Sequence, residues 1–131
     1  MNLKVEVSVG EFLDKLTILE IKAEQIQDPA KLQNVHRELD LLRRTWSDSP
    51  HSKTDISRKL KDLKTVNQTL WDIENRIRLK EAAGAFDEEF IQLARSVYVT
   101  NDRRAALKRD LNLALGSALI EEKSYADYTR K

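Results

Sequence analysis

The sequence contains no cysteine, which removes disulfides, thiolate nucleophiles and cysteine-type zinc sites and fits a reducing compartment. Only three glycines and two prolines interrupt it, a helix-rich composition with no glycine-rich phosphate loop. No segment reaches the ~18 apolar residues of a membrane span, and the start, MNLKVEVSVGEF, has no long apolar run behind a basic stretch. A cytosolic protein without a membrane span is expected. Charge of either sign is not in excess: residues 1–52 carry 7 Lys/Arg against 9 Asp/Glu, and residues 53–131 carry 16 against 13. That balance is too even for a dedicated nucleic-acid binder, so nucleic acid is not expected as a partner. The two histidines, His36 and His51, have no metal spacing, no Glu-x-x-His pair is present, and no serine sits in a recognisable catalytic motif. Neither a metal nor a cofactor is expected, no catalytic residue is assigned, and a non-enzyme is favoured.

What the chain does contain is regular apolar spacing. Its 131 residues suffice for one domain with a real core. Leu3, Val5 and Val7 alternate with Lys4, Glu6 and Ser8, the period of a short strand or extended arm over residues 1–9. Such a strand must pair with the tail or with a second copy of the protein, or else lie extended along the bundle. Ser8-Val9-Gly10-Glu11 is a capping box that predicts a first helix over 9–27 with a heptad-like, coiled-coil seam of Val9, Phe12, Leu16, Leu19, Ala23 and Ile26. Asp28 followed by Pro29 predicts a second helix over 29–47. A tight turn there makes facing residue numbers sum to about 57 and brings Phe12 toward Trp46; one long helix kinked at Pro29 is the alternative. The run SDSPHSKT is a loop, with Thr54 expected to cap a third helix over 55–82. Gly84 suits a left-handed helix end, and Asp87 with Glu88 and Glu89 opens a fourth helix over 87–115. Thr100-Asn101-Asp102 marks a candidate kink in it, and residues 116–131 form a tail without clear period.

Chemistry is concentrated in the fourth helix. Steps of three and four from Phe90, Ala94 and Val97 land on Asn101, Arg104 or Ala105, and Lys108 before apolar character returns at Leu111 and Leu115. A polar layer inside or beside the core is therefore predicted, and it must be satisfied from other helices. If the third and fourth helices fold back on each other, facing numbers sum to about 169, placing Asn67 near Asn101 and Asp102, and Glu74 within salt-bridge or single-water reach of Arg95. The layer could fix helix register, line a ligand pocket, or face water. As a pocket it would hold an anion with Arg95, Tyr98, Asn101, Arg104 and Lys108, flanked by the polar residues Asn67, Glu74 and Asp102. The basic run Arg103, Arg104, Lys108 and Arg109 has acidic neighbours in Asp110, Glu121 and Glu122, which also fits ion pairing at a helix end. Glu11, Asp14, Glu20, Glu24 and Glu74 are the carboxylates that acid–base chemistry could draw on, and solvated or ion-paired roles are the simpler expectation for Glu20 and Glu24.

The blocks VEVSVGEFLDKLTILEIKAEQI, KLQNVHREL, LWDIENRIR and FDEEFIQLARSVYVTNDRRAALKRDLN, continuing through GSALIEEKSYADY, resemble a family of small all-helical bacterial and phage proteins known only as a domain of unknown function. The resemblance covers nearly the whole chain and implies one helical domain. It carries no catalytic residues, and it implies an association with surface-polysaccharide glycosyltransferase genes. Taken together, the sequence predicts a mainly all-α protein, a four-helix bundle of two helical hairpins in a single domain over 1–131. The expected role is an interaction or assembly module that binds a partner protein or itself as a homodimer. The alternative is a binding or enzymatic domain for an anionic small molecule such as a nucleotide sugar.

Overall fold

A computed structural model describes residues 1–130. Four α-helices, α1 (Val9–Gln25), α2 (Pro29–Asp48), α3 (Ser57–Ala83) and α4 (Glu88–Ala114), account for the regular structure together with a short 3-10 turn, Pro50–Lys53. The all-α bundle predicted from apolar spacing is the fold. None of its helices is long and apolar enough to cross a membrane.

The boundaries follow local chemistry. Ser8 Oγ accepts from the Glu11 amide at 3.1 Å, starting α1, and Asp87 accepts from the Phe90 amide at 3.0 Å, starting α4. Gly84 ends α3 at φ 64°, where a side chain would be strained. The capping box is only half used, because the Glu11 carboxylate turns away to Lys108. Thr54 closes the 3-10 turn rather than capping α3; the α3 cap position is Ile56, and Asp55 accepts from the Ser57 amide at 3.0 Å. Thr100-Asn101-Asp102 lies within an unbroken α4.

Residues 1–7 are not a strand. They are exposed and irregular, because a strand needs a partner for its backbone and no backbone hydrogen bond joins residues 2–7 to another segment among the described residues. Among the described residues no strand is present, and residues 1–7 form an exposed arm without regular structure.

The chain reverses at Pro29: Phe12 and Trp46 stack with ring centroids 6.2 Å apart, which rules out a kinked rod. The turn after Gly84 folds α4 onto α3 in the expected register, seen in the Lys59–Asp110 pair at 2.6 Å and the Lys80–Glu89 pair at 3.3 Å. The two hairpins meet through α1, which packs against α2, α3 and α4, whereas α2 touches only α1 and the 3-10 turn. Leu13, Leu16, Leu19, Leu39, Leu63 and Leu111 form the centre of the core. Burial of each full leucine side chain contributes roughly 1.5–3 kcal/mol. From Glu74 to Gln92 no residue is buried, so the distal end of the α3–α4 hairpin projects beyond the cover that α1 provides.

Candidate functional site: a buried ion network

α1 runs antiparallel to α4 at its closest approach, and this direction builds the site. Glu11 and Asp14 stand three residues apart on one helix and face Lys108 and Arg104, four apart on the other, so acid meets base rung by rung. Asp14 is the hub, at 1% exposure. Its Oδ1 accepts from Arg104 Nε and from Asn67 Nδ2, both at 2.9 Å, while its Oδ2 accepts from Arg104 Nη2. This is a bidentate guanidinium–carboxylate pair, the strongest geometry open to these groups. Asn67 also donates to Thr17 Oγ1 at 3.0 Å, and Thr17 donates to the Asp14 carbonyl at 2.8 Å. Asn101 accepts from Arg104 Nη1 at 3.4 Å.

Lys108 is nearly as buried. Its Nζ lies 2.5 Å from Glu11, 2.9 Å from Glu121 of the tail and 3.8 Å from Asp14. Burial alone would push the lysine pKa down, but the hydrogen bonds to Glu11 and Glu121 together with the charges of Asp14 and Glu11 outweigh it and hold the value above that of an ordinary lysine. The bond to Asp14 raises the Arg104 pKa, and the bond from Lys108 lowers that of Glu121. Among the described residues no buried side-chain nitrogen or oxygen lacks a hydrogen-bond partner.

One turn further along, the same two helices come closer still. A Cβ on Gly10 would collide with the Lys108 carbonyl oxygen, so only glycine permits this approach. The Gly10 amide donates to Asn112 Oδ1 at 2.6 Å and the Val9 amide to Ser117 Oγ at 3.1 Å. With Ser8 serving Glu11, each of the first three amides of α1 has a side-chain acceptor. The tail then runs back along α4, with Glu122 on Arg109 at 3.0 Å, Tyr128 donating to Asp102, and Tyr128 against Tyr98 at 5.0 Å between ring centroids.

Of the residues singled out in the sequence, Asn67, Asn101, Arg104 and Lys108 are brought together by the fold. Tyr98 and Asp102 lie instead on the surface beneath the tail, and Arg95 is exposed. The direct Glu74–Arg95 ion pair does not form: Glu74 binds Arg78 one helical turn away, a partner that no tertiary ordering is needed to supply. Glu20 and Glu24 pair with Arg43 and Lys64, and His36 is exposed.

Sequence reasoning missed Asp14 as the hub, together with Thr17, Asn112 and the bridging role of Glu121. A signal was there in Gly10, Asp14, Thr17 and Ile21, a second seam spaced 4, 3, 4 whose small and polar members suit a close, polar helix contact.

Two clefts flank the network. One of about 200 Å³ lies between α4 and the tail beside Lys108, Arg109 and Glu121. The other, about 440 Å³, opens between α1 and α3 and is walled by Ile18, Leu70 and Trp71, with Asn67, Glu74 and Arg104 at its polar edge.

Fold and site thus define a class: a small all-α domain whose inner charges are neutralised by one another. The chain belongs to the Family of unknown function (DUF6165), whose model matches residues 3–129. Comparison with curated proteins and with solved structures finds no match to this chain.

Proposed function

We propose that this protein is a non-enzymatic helical interaction module, acting in the bacterial cytosol by binding a partner protein or a second copy of itself. The observation that carries this reading is the closure of the Asp14–Arg104–Lys108 network. Each charge in it is matched from a neighbouring helix, so the network holds helix register, and nothing in it awaits a substrate group. Recognition then falls to the surface. The bare end of the α3–α4 hairpin exposes Leu79, Phe86 and Ile91, apolar side chains of the kind that anchor protein interfaces. The heptad-like seam of α1 is spent inside the monomer, so coiled-coil pairing between copies would use other faces. The family resemblance adds surface-polysaccharide synthesis as the proposed setting.

A second reading has its own observation, the 440 Å³ cleft that reaches Asn67 and Arg104. An anionic small molecule such as a nucleotide sugar could use the guanidinium edge and the Trp71 ring. Asp14 already matches the Arg104 charge and Glu74 stands at the same rim, and both weigh against an anion.

One pair of measurements separates the readings. A thermal-shift panel of phosphate, nucleotides and nucleotide sugars is expected to leave the melting temperature unchanged, while sedimentation velocity shows mass rising with protein concentration. A ligand at one hundred times its dissociation constant would add about 2.7 kcal/mol. Such stabilisation in the wild type, lost in Arg104→Gln, would install the ligand reading in place of the module.

A further inference from the structure

Seven residues at the start of the chain look unfinished. Leu3 is 96% and Val5 81% exposed, yet they alternate with Lys4 and Glu6 in the pattern of a strand that has one apolar face. No backbone hydrogen bond ties residues 2–7 to another segment among the described residues. At the base of this arm, Val7 forms the rim of a depression of about 220 Å³ with Val9, Phe12 and Trp46, edged by Thr45, Ser49 and His51, at the end of the α1–α2 hairpin opposite its connecting turn.

We infer that the arms of two copies pair as antiparallel strands about a two-fold axis at Val5, each delivering Leu3 to the other's Val7–Phe12–Trp46 depression. This rests on the reading of the chain as an interaction module and names its partner, a second copy, and its surface.

Charge selects the register. With Val5 opposite Val5 of the partner subunit, Lys4 faces the partner's Glu6 and Glu6 faces the partner's Lys4, while Leu3 and Val7 meet on the other side. Sliding by two residues in either direction puts an axis at Lys4 or at Glu6 and sets like charges face to face. One-residue slides place Lys4 opposite valine and mix polar with apolar on one face. Parallel pairing stacks lysine beside lysine. The sequence is therefore self-complementary in one antiparallel register only.

A two-stranded ribbon alone is marginal in water, so it needs a surface to rest on. The register supplies one. A cross-strand neighbour lies about 4.5–5.5 Å away at Cβ, which brings the partner's Leu3 beside Val7 and to the mouth of the depression. The same contact occurs twice about the axis, giving a closed pair and not a filament. Pairing also stops where it should: Ser8 is committed to capping α1.

The absence of cysteine makes the test clean. Under mild oxidation Val5→Cys is expected to give a covalent dimer, since facing Cα atoms in an antiparallel pair lie about 4.5–5.5 Å apart, within disulfide reach. Lys4→Cys is the control, because its copies would lie roughly 8 Å apart, beyond reach. In sedimentation velocity, Lys4→Glu alone and Glu6→Lys alone are each expected to weaken self-association roughly tenfold or more, and an equimolar mixture of the two to restore it, since the mixed pair regains both opposite-charge contacts. A wild type that stays monomeric at all concentrations, with no Val5→Cys dimer, overturns the inference. A wild type that self-associates while the arm variants behave like it also overturns the arm, but leaves the module reading standing.

Discussion

Asp14 accepts three hydrogen bonds and faces two cations in a setting almost closed to water, so its carboxylate is worth more here than any surface acid in the chain. Replacing it with asparagine keeps the shape but leaves Arg104 without its counter-charge. Asp14→Asn is expected to lower unfolding free energy by about 3 kcal/mol in urea titration, at the lower end for a broken buried pair because Arg104 can reach water at its edge and Lys108 keeps Glu11 and Glu121. Glu74→Ala is the matched contrast: its partner Arg78 is exposed, and the loss should stay below about 0.5 kcal/mol. Gly10→Ala probes the backbone contact. The added methyl meets a carbonyl oxygen that cannot rotate away, so α1 and α4 must part, at a cost of about 1–3 kcal/mol visible in the same titration.

Between elements, the α1–α2 and α1–α4 contacts answer to different reporters. Phe12 lies against Trp46, so Phe12→Ala should shift the emission of that tryptophan while leaving helix content by circular dichroism unchanged; an unaltered spectrum would contradict the hairpin stack. The tail answers to pH. The Glu121 pKa is held below its ordinary 4.5, so the stability it contributes is present above that value and is lost as pH falls through the lower folded value. Lys108 is raised above its ordinary 10.5, so its contribution is present below that value and is lost as pH rises through the raised one. Melting temperature should therefore be level between these limits and fall on both sides. Glu121→Gln should shallow the acid limb, and a limb identical to that of the wild type would show that the tail does not rest on Lys108.

For the molecule as a whole, the uneven cover of the α3–α4 hairpin matters most. Its proximal half is locked to α1 by core and network, while its distal half exposes Leu79 and Ile91. Leu79→Ser with Ile91→Ser should change stability by no more than about 0.5 kcal/mol each, because side chains already in water have little burial to lose. If that end is where the module meets a partner protein, the same pair of changes abolishes the complex in a binding assay on a folded sample.

Much of this architecture is written in short windows of sequence. Ser8, Asp87 and Gly84 start or stop helices through atoms within a few residues of themselves, and Pro29 opens α2 for a local reason, while the reversal there is decided by the packing of α2 on α1. The polar interruption at Asn101, Arg104 and Lys108 was legible because helical periodicity shows which face those residues share. What that face meets was not legible. The way α1 lies across α3 and α4 decided that Asp14 would be the hub, that Asn112 would serve the Gly10 amide and that Glu121 would close over Lys108. These partners lie 53 to 102 residues apart for the two hydrogen bonds involved, and no local pattern encodes such a meeting. The strand expected over the arm shows the same divide: alternation determines which side chains share a face, but a β-strand exists only where a second backbone satisfies the first, and among the described residues of one chain none does so.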